Sequence, residues 1–194
     1  MVPLAAGPWP TPSMHLIADE TQVNDLIRRL TAESAALTRA AEGPWAIVGI
    51  RSRGDILAHR LADEIQPAFT GSVDIALYRD DLSEVGPQPV VRTTEINFPL
   101  DGTNILLVDD VLMTGRSIRA AIQSLLDYGR PRCIRLLVLV DRGGRELPIA
   151  PDLVGQRLNL DHDQLVEVRL RPQDPDDRIV RFEKPAAAAA REEH

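Results

Sequence analysis

The sequence predicts an α/β fold, with a central, mainly parallel sheet flanked by helices. Three observations carry that expectation. Short, nearly continuous apolar runs at 45–50, 104–108 and 134–140 read as strands covered on both faces. Segments with apolar residues at three-and-four spacing lie between them, so strands alternate with helices, the pattern of parallel crossover units. Glycine and proline punctuate the joins, at Gly43-Pro44 and at Gly129.

Residues 1–15, with Pro3, Pro8, Pro10 and Pro12, offer no periodic apolar face and are expected to form a mobile extension. Asp19 and Thr21 stand just before Val23, Leu26, Ile27 and Leu30, which share one helical face, and Gly43-Pro44 lies beyond that helix. Trp45 to Ile50 is the first predicted strand, and Ile56, Leu57, Leu61 and Ile65 follow at helical spacing. Val73 to Tyr78 reads as a second strand and Asn104 to Val108 as a third. Ile118 to Leu126 reads as a helix closed by Gly129, and Ile134 to Val140 as a fourth strand. Loops are expected to dominate after residue 141, with short strands near 165–170 and 179–182. Residues 185–194 run from proline through five alanines to Arg-Glu-Glu-His and suit a disordered tail, which leaves 16–184 as one domain.

Composition narrows the function. A hydrophobic fraction of 44% and a charged fraction of 26% suit a globular protein with a sizeable core. No apolar run approaches the roughly 20 residues that cross a bilayer, and the first fifteen residues lack the pattern of a signal peptide, so no membrane association and a cytoplasmic location are expected. The net charge of -7 argues against broad, charge-driven nucleic-acid binding but leaves room for a local basic face. The single cysteine, Cys133, makes no internal disulfide, and the four histidines lack the spacing of a zinc site; Cys133 and His59 read as structural. Lys184 is the only lysine, so the basic residues are nearly all arginine. That choice suits phosphate ligands, although genomic base composition produces the same bias.

In an open parallel sheet, ligands sit beyond the carboxyl ends of the strands. Four segments directly follow predicted strands: 51–54, 79–81, 109–117 and 141–143. The richest is Asp109-Asp110-Val111-Leu112-Met113-Thr114-Gly115-Arg116-Ser117. Adjacent carboxylates at a strand end can accept hydrogen bonds from the vicinal hydroxyls of a ribose. Thr114-Gly115-Arg116-Ser117 then opens a helix, whose free N–H groups and positive dipole end favour a phosphate. Gly115 lets the main chain approach the anion, and the Thr114 and Ser117 hydroxyls can donate to it. The bland alternative is a strand end with solvated aspartates and an ordinary helix cap. A receiver domain also ends a strand in paired acids, but at its start, whereas here two strand-and-helix units come first.

Acceptors for a diol and a cradle for a phosphate, so close together, match a ribose 5-phosphate, and the segment resembles the signature of the type I phosphoribosyltransferases for phosphoribosyl diphosphate (PRPP). The resemblance implies the type I phosphoribosyltransferase fold with a small hood subdomain, PRPP held by 109–117, and catalysis by Asp109, Asp110 and Arg79. Mg2+ is implied as a cofactor bound mainly through PRPP oxygens, with no metal-ligand set of the chain's own. Arg51-Ser52-Arg53-Gly54 resembles the family's diphosphate-binding loop, in which relatives often carry a non-proline cis peptide, here expected near Arg51-Ser52. The polar stretch from Arg79 to about residue 103 is placed as a lid that closes over PRPP. Asp141, Arg142 and Val166 stand where relatives form the hood over the base.

Taken together, Leu77-Tyr78-Arg79-Asp80-Asp81-Leu82-Ser83, the 109–117 segment and the run from Leu139 to Ile149 are similar to the PyrR family, a likeness that extends from about Asp19 to Phe182. It implies conversion of uracil and PRPP to UMP and diphosphate, binding of pyrimidine-operon mRNA in many bacteria, and a homodimer or higher homo-oligomer. Purine enzymes of the superfamily typically place an aspartate three positions after the acidic pair; Met113 stands there, and its thioether exchanges no proton. Met113 as core filler remains an equal reading. Arg28, Arg29, Arg145 and Arg157 are candidates for an RNA face, whereas Gly144, Ala150 and Gln156 stand where RNA-binding relatives tend to be basic or to carry histidine. Weak or absent RNA binding is therefore expected. The rival readings are a regulatory RNA-binding protein with little enzymatic activity and a phosphoribosyltransferase for another base.

Overall fold

The computed structural model describes residues 14–75, 94–161 and 163–183. Along the chain the elements are β1 (His15–Ala18), α1 (Glu20–Ala40), β2 (Trp45–Ile50), α2 (Arg53–Ile65), β3 (Phe69–Val73), β4 (Asn104–Leu112), α3 (Arg116–Leu126), β5 (Cys133–Asp141), β6 (Leu153–Arg157), β7 (Gln164–Arg169) and β8 (Arg178–Glu183). Among the described residues β3-β2-β4-β5-β6 form a five-stranded sheet whose neighbours all run parallel. A three-stranded antiparallel sheet, β1-β8-β7, makes the hood.

The strands are apolar throughout because both faces of the central sheet are covered. Ile47, Leu106, Val108, Leu137 and Leu139 point into one cluster with Val23, Ile27 and Leu30 of α1 and Leu57 and Leu61 of α2. Their sequence neighbours Ala46, Val48, Ile105, Leu107 and Val138 point into the opposite cluster with Ile118, Ala121 and Leu125 of α3. Successive strand residues thus alternate between two cores, as the two-residue period of a strand requires. Fully burying a leucine in either cluster contributes about 1.5–3 kcal/mol.

The helix ends follow local chemistry. Asp19 caps α1, its Oδ1 accepting from the Gln22 amide at 2.9 Å while the Asp19 amide donates to Gln22 Oε1 at 3.0 Å. α2 closes on Gln66, which adopts a left-handed φ of 54° and donates its amide to the Ala62 carbonyl at 2.9 Å. Two glycines seat the start of α2 on the sheet. A Cβ on Gly49 would lie 2.4 Å from the Asp55 Cα, and one on Gly54 would lie 2.6 Å from the Val108 carbonyl oxygen.

Most expected elements are present, and the differences have physical causes. The strand expected at 73–78 lies at Phe69–Val73 instead; Asp74 and Ile75 are outside it, and 76–78 fall outside the described residues. The apolar run misled because this edge strand is made of Phe69-Thr70-Gly71-Ser72-Val73, fixed by its register on β2 and by stacking of Phe69 on Phe98 at 5.0 Å. β4 continues four residues past Val108, so the acidic pair lies within the strand rather than after it. His15, the last residue of the expected N-terminal extension, opens β1, which is too short to show a period and exists through pairing with β8. β6, in the region read as loops, is held by its parallel pairing to β5, where Gly155 packs against the Leu139 carbonyl. Part of the expected lid, 94–103, packs on β3 through paired hydrogen bonds between Ser72 and Glu95 at 2.8 and 3.1 Å. The rest of that stretch, including Arg79, lies outside the described residues, as does the tail from 184 onward. Among the described residues no helix is long and apolar enough to cross a membrane.

Candidate active site

β2, β4 and β5 run parallel, so their carboxyl ends lie at one edge of the sheet, and the loops leaving them meet there. Gly54 brings the start of α2 against β4: a Cβ there would lie 3.2 Å from Asp109 Oδ1. Asp109 is 6% exposed, and its Oδ1 accepts from the Asp110 amide at 3.0 Å. Burial pushes the Asp110 carboxyl above the usual aspartate range; the Asp109 side chain, the Val111 amide and the Arg53 charge pull the other way without cancelling it. Two carboxylates this close, one resisting ionisation, are suited to hydrogen-bonding a diol or facing a developing positive charge.

Past the acids the chain turns sharply into α3. Gly115 takes φ 93°, the left-handed region that favours glycine, and the space its missing Cβ would need is bounded by Leu147 and Ile149 at 3.3–3.5 Å. The Thr114 hydroxyl accepts from the Arg116 amide at 3.2 Å, and the Arg116 side chain pairs with Glu146 at 2.7 Å. Three successive carbonyls of this turn are held by the segment after β5. The Arg142 amide donates to Leu112 O at 3.0 Å, Arg145 Nη1 to Met113 O at 2.8 Å, and the Glu146 and Leu147 amides to Thr114 O at 3.0 and 3.1 Å. Met113 is half-buried, with its Cγ 3.8 Å from where a Gly144 Cβ would stand.

The Arg51-Ser52-Arg53 loop carries a cis peptide between Arg51 and Ser52, at the position expected. Arg51 donates from Nε to the Ser72 hydroxyl at 2.9 Å and pairs with Glu95 at 2.6 Å. Ser52 Oγ accepts from Gln173 at 3.2 Å. Arg53 grips Asp174 through two hydrogen bonds of 3.0 and 3.1 Å and reaches Glu167 at 3.3 Å, using Nε and one terminal nitrogen. The Asp174 bond holds the Arg53 guanidinium above its ordinary range, and the same bond holds the Asp174 carboxyl below its own.

At the end of β5, Asp141 is buried, its Oδ1 accepting from the Gly143 amide at 3.1 Å and Arg145 at 2.7 Å, and its Oδ2 from Arg157 at 2.9 Å. Arg142 is 2% exposed and donates to the carbonyls of Gln164 and Asp161 at 3.1 and 2.9 Å; burial lowers its guanidinium. Val166 sits in β7, paired to Arg181 and packed against the core. Of the four arginines expected on an RNA face, Arg28 pairs with Asp25 and Arg29 with Glu33 and the Gly155 carbonyl. Arg145 and Arg157 converge on Asp141, and the Arg145 side chain is only 24% exposed.

Sequence reasoning missed the partners of the loop arginines: Ser72, Glu95, Glu167 and Asp174. Nothing local marks them, since Asp174 lies 121 residues from Arg53. The close backbone approach at Gly49 and Gly54 was missed as well, although two glycines flanking a strand-to-helix turn are a signal of it. Among the described residues no cluster of three His, Cys, Asp or Glu side chains could hold a metal ion.

Comparison with known proteins bears on the same site. The phosphoribosyl transferase domain family model matches residues 16–172. The chain is 48% identical over 164 residues to a Thermus aquaticus protein named bifunctional protein PyrR, covering 82% of this chain and 90% of the relative. A protein of the same name from Desulfosudis oleivorans is 44% identical over 170 residues, covering 84% and 93%. Among solved structures, a Staphylococcus aureus hypoxanthine phosphoribosyltransferase superposes with a TM-score of 0.63 at 17% identity, covering 89% of this chain and 94% of that one. A Trypanosoma cruzi hypoxanthine phosphoribosyltransferase gives 0.65 at 14% identity over 91% and 98%. At these identities the two structures speak to the fold alone.

Proposed function

The chain belongs to the PyrR family of phosphoribosyltransferases, and from that premise we propose that it transfers the ribose 5-phosphate of PRPP to uracil, releasing diphosphate and forming UMP. The observation that carries this reading is the Asp109–Asp110 pair, with Asp109 buried and Asp110 partly exposed, running directly into the left-handed Gly115 turn at the mouth of α3. The acids take the ribose hydroxyls, and the turn takes the 5-phosphate through Thr114 to Ser117. Arg51 and Arg53, with Arg79 from the segment beyond the described residues, neutralise the departing diphosphate. Asp110, after Asp174, is among the charges that raise the Arg53 guanidinium.

Mg2+ would come with PRPP, held chiefly by substrate oxygens rather than by a donor set of the chain. When bound, it shields the charge that builds on the diphosphate. The chain's own work is positioning: carboxylates beside the ribose favour positive charge at its anomeric carbon.

Uracil is preferred to a 6-oxopurine because Met113, facing Gly144 of the hood segment, offers no proton acceptor at the place where purine enzymes keep an aspartate. Asp141, Arg142 and Val166 form the hood side of the base site. The reading of a regulator with little activity is not favoured, because RNA binding alone requires neither buried acids nor a phosphate turn. Binding of pyrimidine-operon mRNA is weak in this proposal, since Gly144, Ala150 and Gln156 stand where RNA-binding relatives tend to be basic or to carry histidine and the net charge is -7. A filter assay giving tight, sequence-selective retention at physiological salt contradicts that part.

The deciding experiment is a base panel with labelled PRPP and Mg2+, comparing uracil with hypoxanthine, guanine and orotate. Diphosphate release that depends on uracil is expected. Release with hypoxanthine or guanine but not uracil overturns the base assignment.

A further inference from the structure

We propose that Arg145 is a positioning residue that aims the backbone of the phosphate-binding turn at PRPP. The inference rests on the reading of Thr114 to Ser117 as the seat of the 5-phosphate.

In a trans peptide the carbonyl of one residue and the N–H of the next point to opposite sides of the chain. Holding the carbonyls of Leu112, Met113 and Thr114 against the segment after β5 therefore turns the N–H groups of Met113, Thr114 and Gly115 to the other side, the orientation an anion needs. Two of those carbonyls are held by backbone amides, which any sequence supplies. The middle one is held by a side chain, Arg145 Nη1 at 2.8 Å, so the aim of the Thr114 N–H depends on the identity of one residue.

Arg145 is built for that task. Its Nε donates to Ile149 O at 2.9 Å and its Nη2 to Asp141 Oδ1 at 2.7 Å, so the guanidinium plane is fixed at three points. Asp141 has a side chain only 8% exposed and supplies the counter-charge that keeps Arg145 in place. Ile149, bonded to Arg145 through its carbonyl, also lines the space beside Gly115 that a Cβ would enter. One arginine thus ties the last residue of β5, the turn before α3 and the residue packed on Gly115. A lysine keeps one charged donor but not the fork, and a methionine keeps the length with no donor.

The test measures steady-state kinetics and calorimetric PRPP binding, both with Mg2+, on full-length Arg145→Ala, Arg145→Met and Arg145→Lys. In Arg145→Ala and Arg145→Met the KM and Kd for PRPP rise about tenfold, equivalent to about 1.4 kcal/mol, while the KM for uracil stays within twofold. Arg145→Lys recovers most of the loss, and added guanidinium ion restores part of it in Arg145→Ala. A purely structural role lowers the active fraction, and so kcat, without moving the Kd for PRPP. Should Arg145→Ala fail to fold, the Met and Lys pair decides. Unchanged PRPP affinity in Arg145→Met overturns the inference even when uracil transfer is confirmed. A wild-type chain that binds PRPP but uses another base overturns the uracil assignment and leaves the Arg145 measurement standing; a wild-type chain that binds no PRPP overturns both.

Discussion

Asp110 shows how a single side chain trades stability for chemistry. Its carboxyl is raised chiefly by burial, so the folded chain favours the neutral form. The sign follows from linkage: the stabilising neutral state is fully present below the ordinary aspartate value, about 3.9, and is lost as pH rises through the raised folded value. At neutral pH the charged group therefore costs stability, and Asp110→Asn removes that cost together with the acceptor. The variant is expected to lose most transfer activity, at least about 100-fold in kcat/KM, while its thermal midpoint rises. A calorimetric scan beside a diphosphate-release assay checks both; a variant that is inactive and less stable contradicts the account. The wild-type pH profile should show an acid limb above the ordinary carboxylate range, because a protonated Asp110 no longer presents a negative charge to the ribose.

At the scale of elements, α1 and α2 illustrate two ways of starting a helix. α1 begins with a reciprocal capping box, and Asp19→Ala, which frees the Gln22 amide, should cost about 1 kcal/mol, read as a lower urea midpoint with unchanged slope. α2 has no side-chain cap at Ser52 and instead gains its place through close backbone contact at Gly49 and Gly54. Gly54→Ala would drive a Cβ to 2.6 Å from Val108 O, backbone against backbone, so α2 must lift from β4 beside Asp109. The expected cost is about 1–3 kcal/mol, with weaker PRPP binding by calorimetry. Asp19 was legible in the sequence as standing at the start of the helix, whereas the glycine seat required knowing which strand α2 lies upon.

For the whole molecule, the hood is tied to the central sheet by arginine–carboxylate bridges. Arg53 at the head of α2 holds Asp174 and Glu167, and Arg60 farther along holds Asp177. Asp174 is depressed mainly by the Arg53 hydrogen bond. A depressed carboxyl contributes stability above its unfolded value that is lost as pH falls through the folded one, so this contribution disappears below about pH 4. Asp174→Asn should be less stable than the wild type at pH 7, with the gap narrowing toward pH 2. Chemical denaturation at both pH values tests this, and a constant gap refutes it. The same bridge keeps Arg53 beside Asp110, so the variant also tests whether hood and site share one arginine.

The sequence by itself determined the alternation of strands and helices, because burial on both faces of a sheet demands apolar runs that nothing else explains. It also determined which groups gather at the end of β4, because the acids, the left-handed glycine and the hydroxyls are neighbours in the chain. Tertiary structure alone decided what the arginines do. Arg145, read in the sequence as a basic surface residue, is turned inward by Asp141, Met113 and Ile149, and Arg53 is engaged by acids more than a hundred residues away. A long cation carries no mark of its partner in its own neighbourhood, because only the packing of distant strands sets which acceptors come within 3 Å. For the same reason β1 and β6 were hidden: each is short, and each is a strand only because another strand lies beside it.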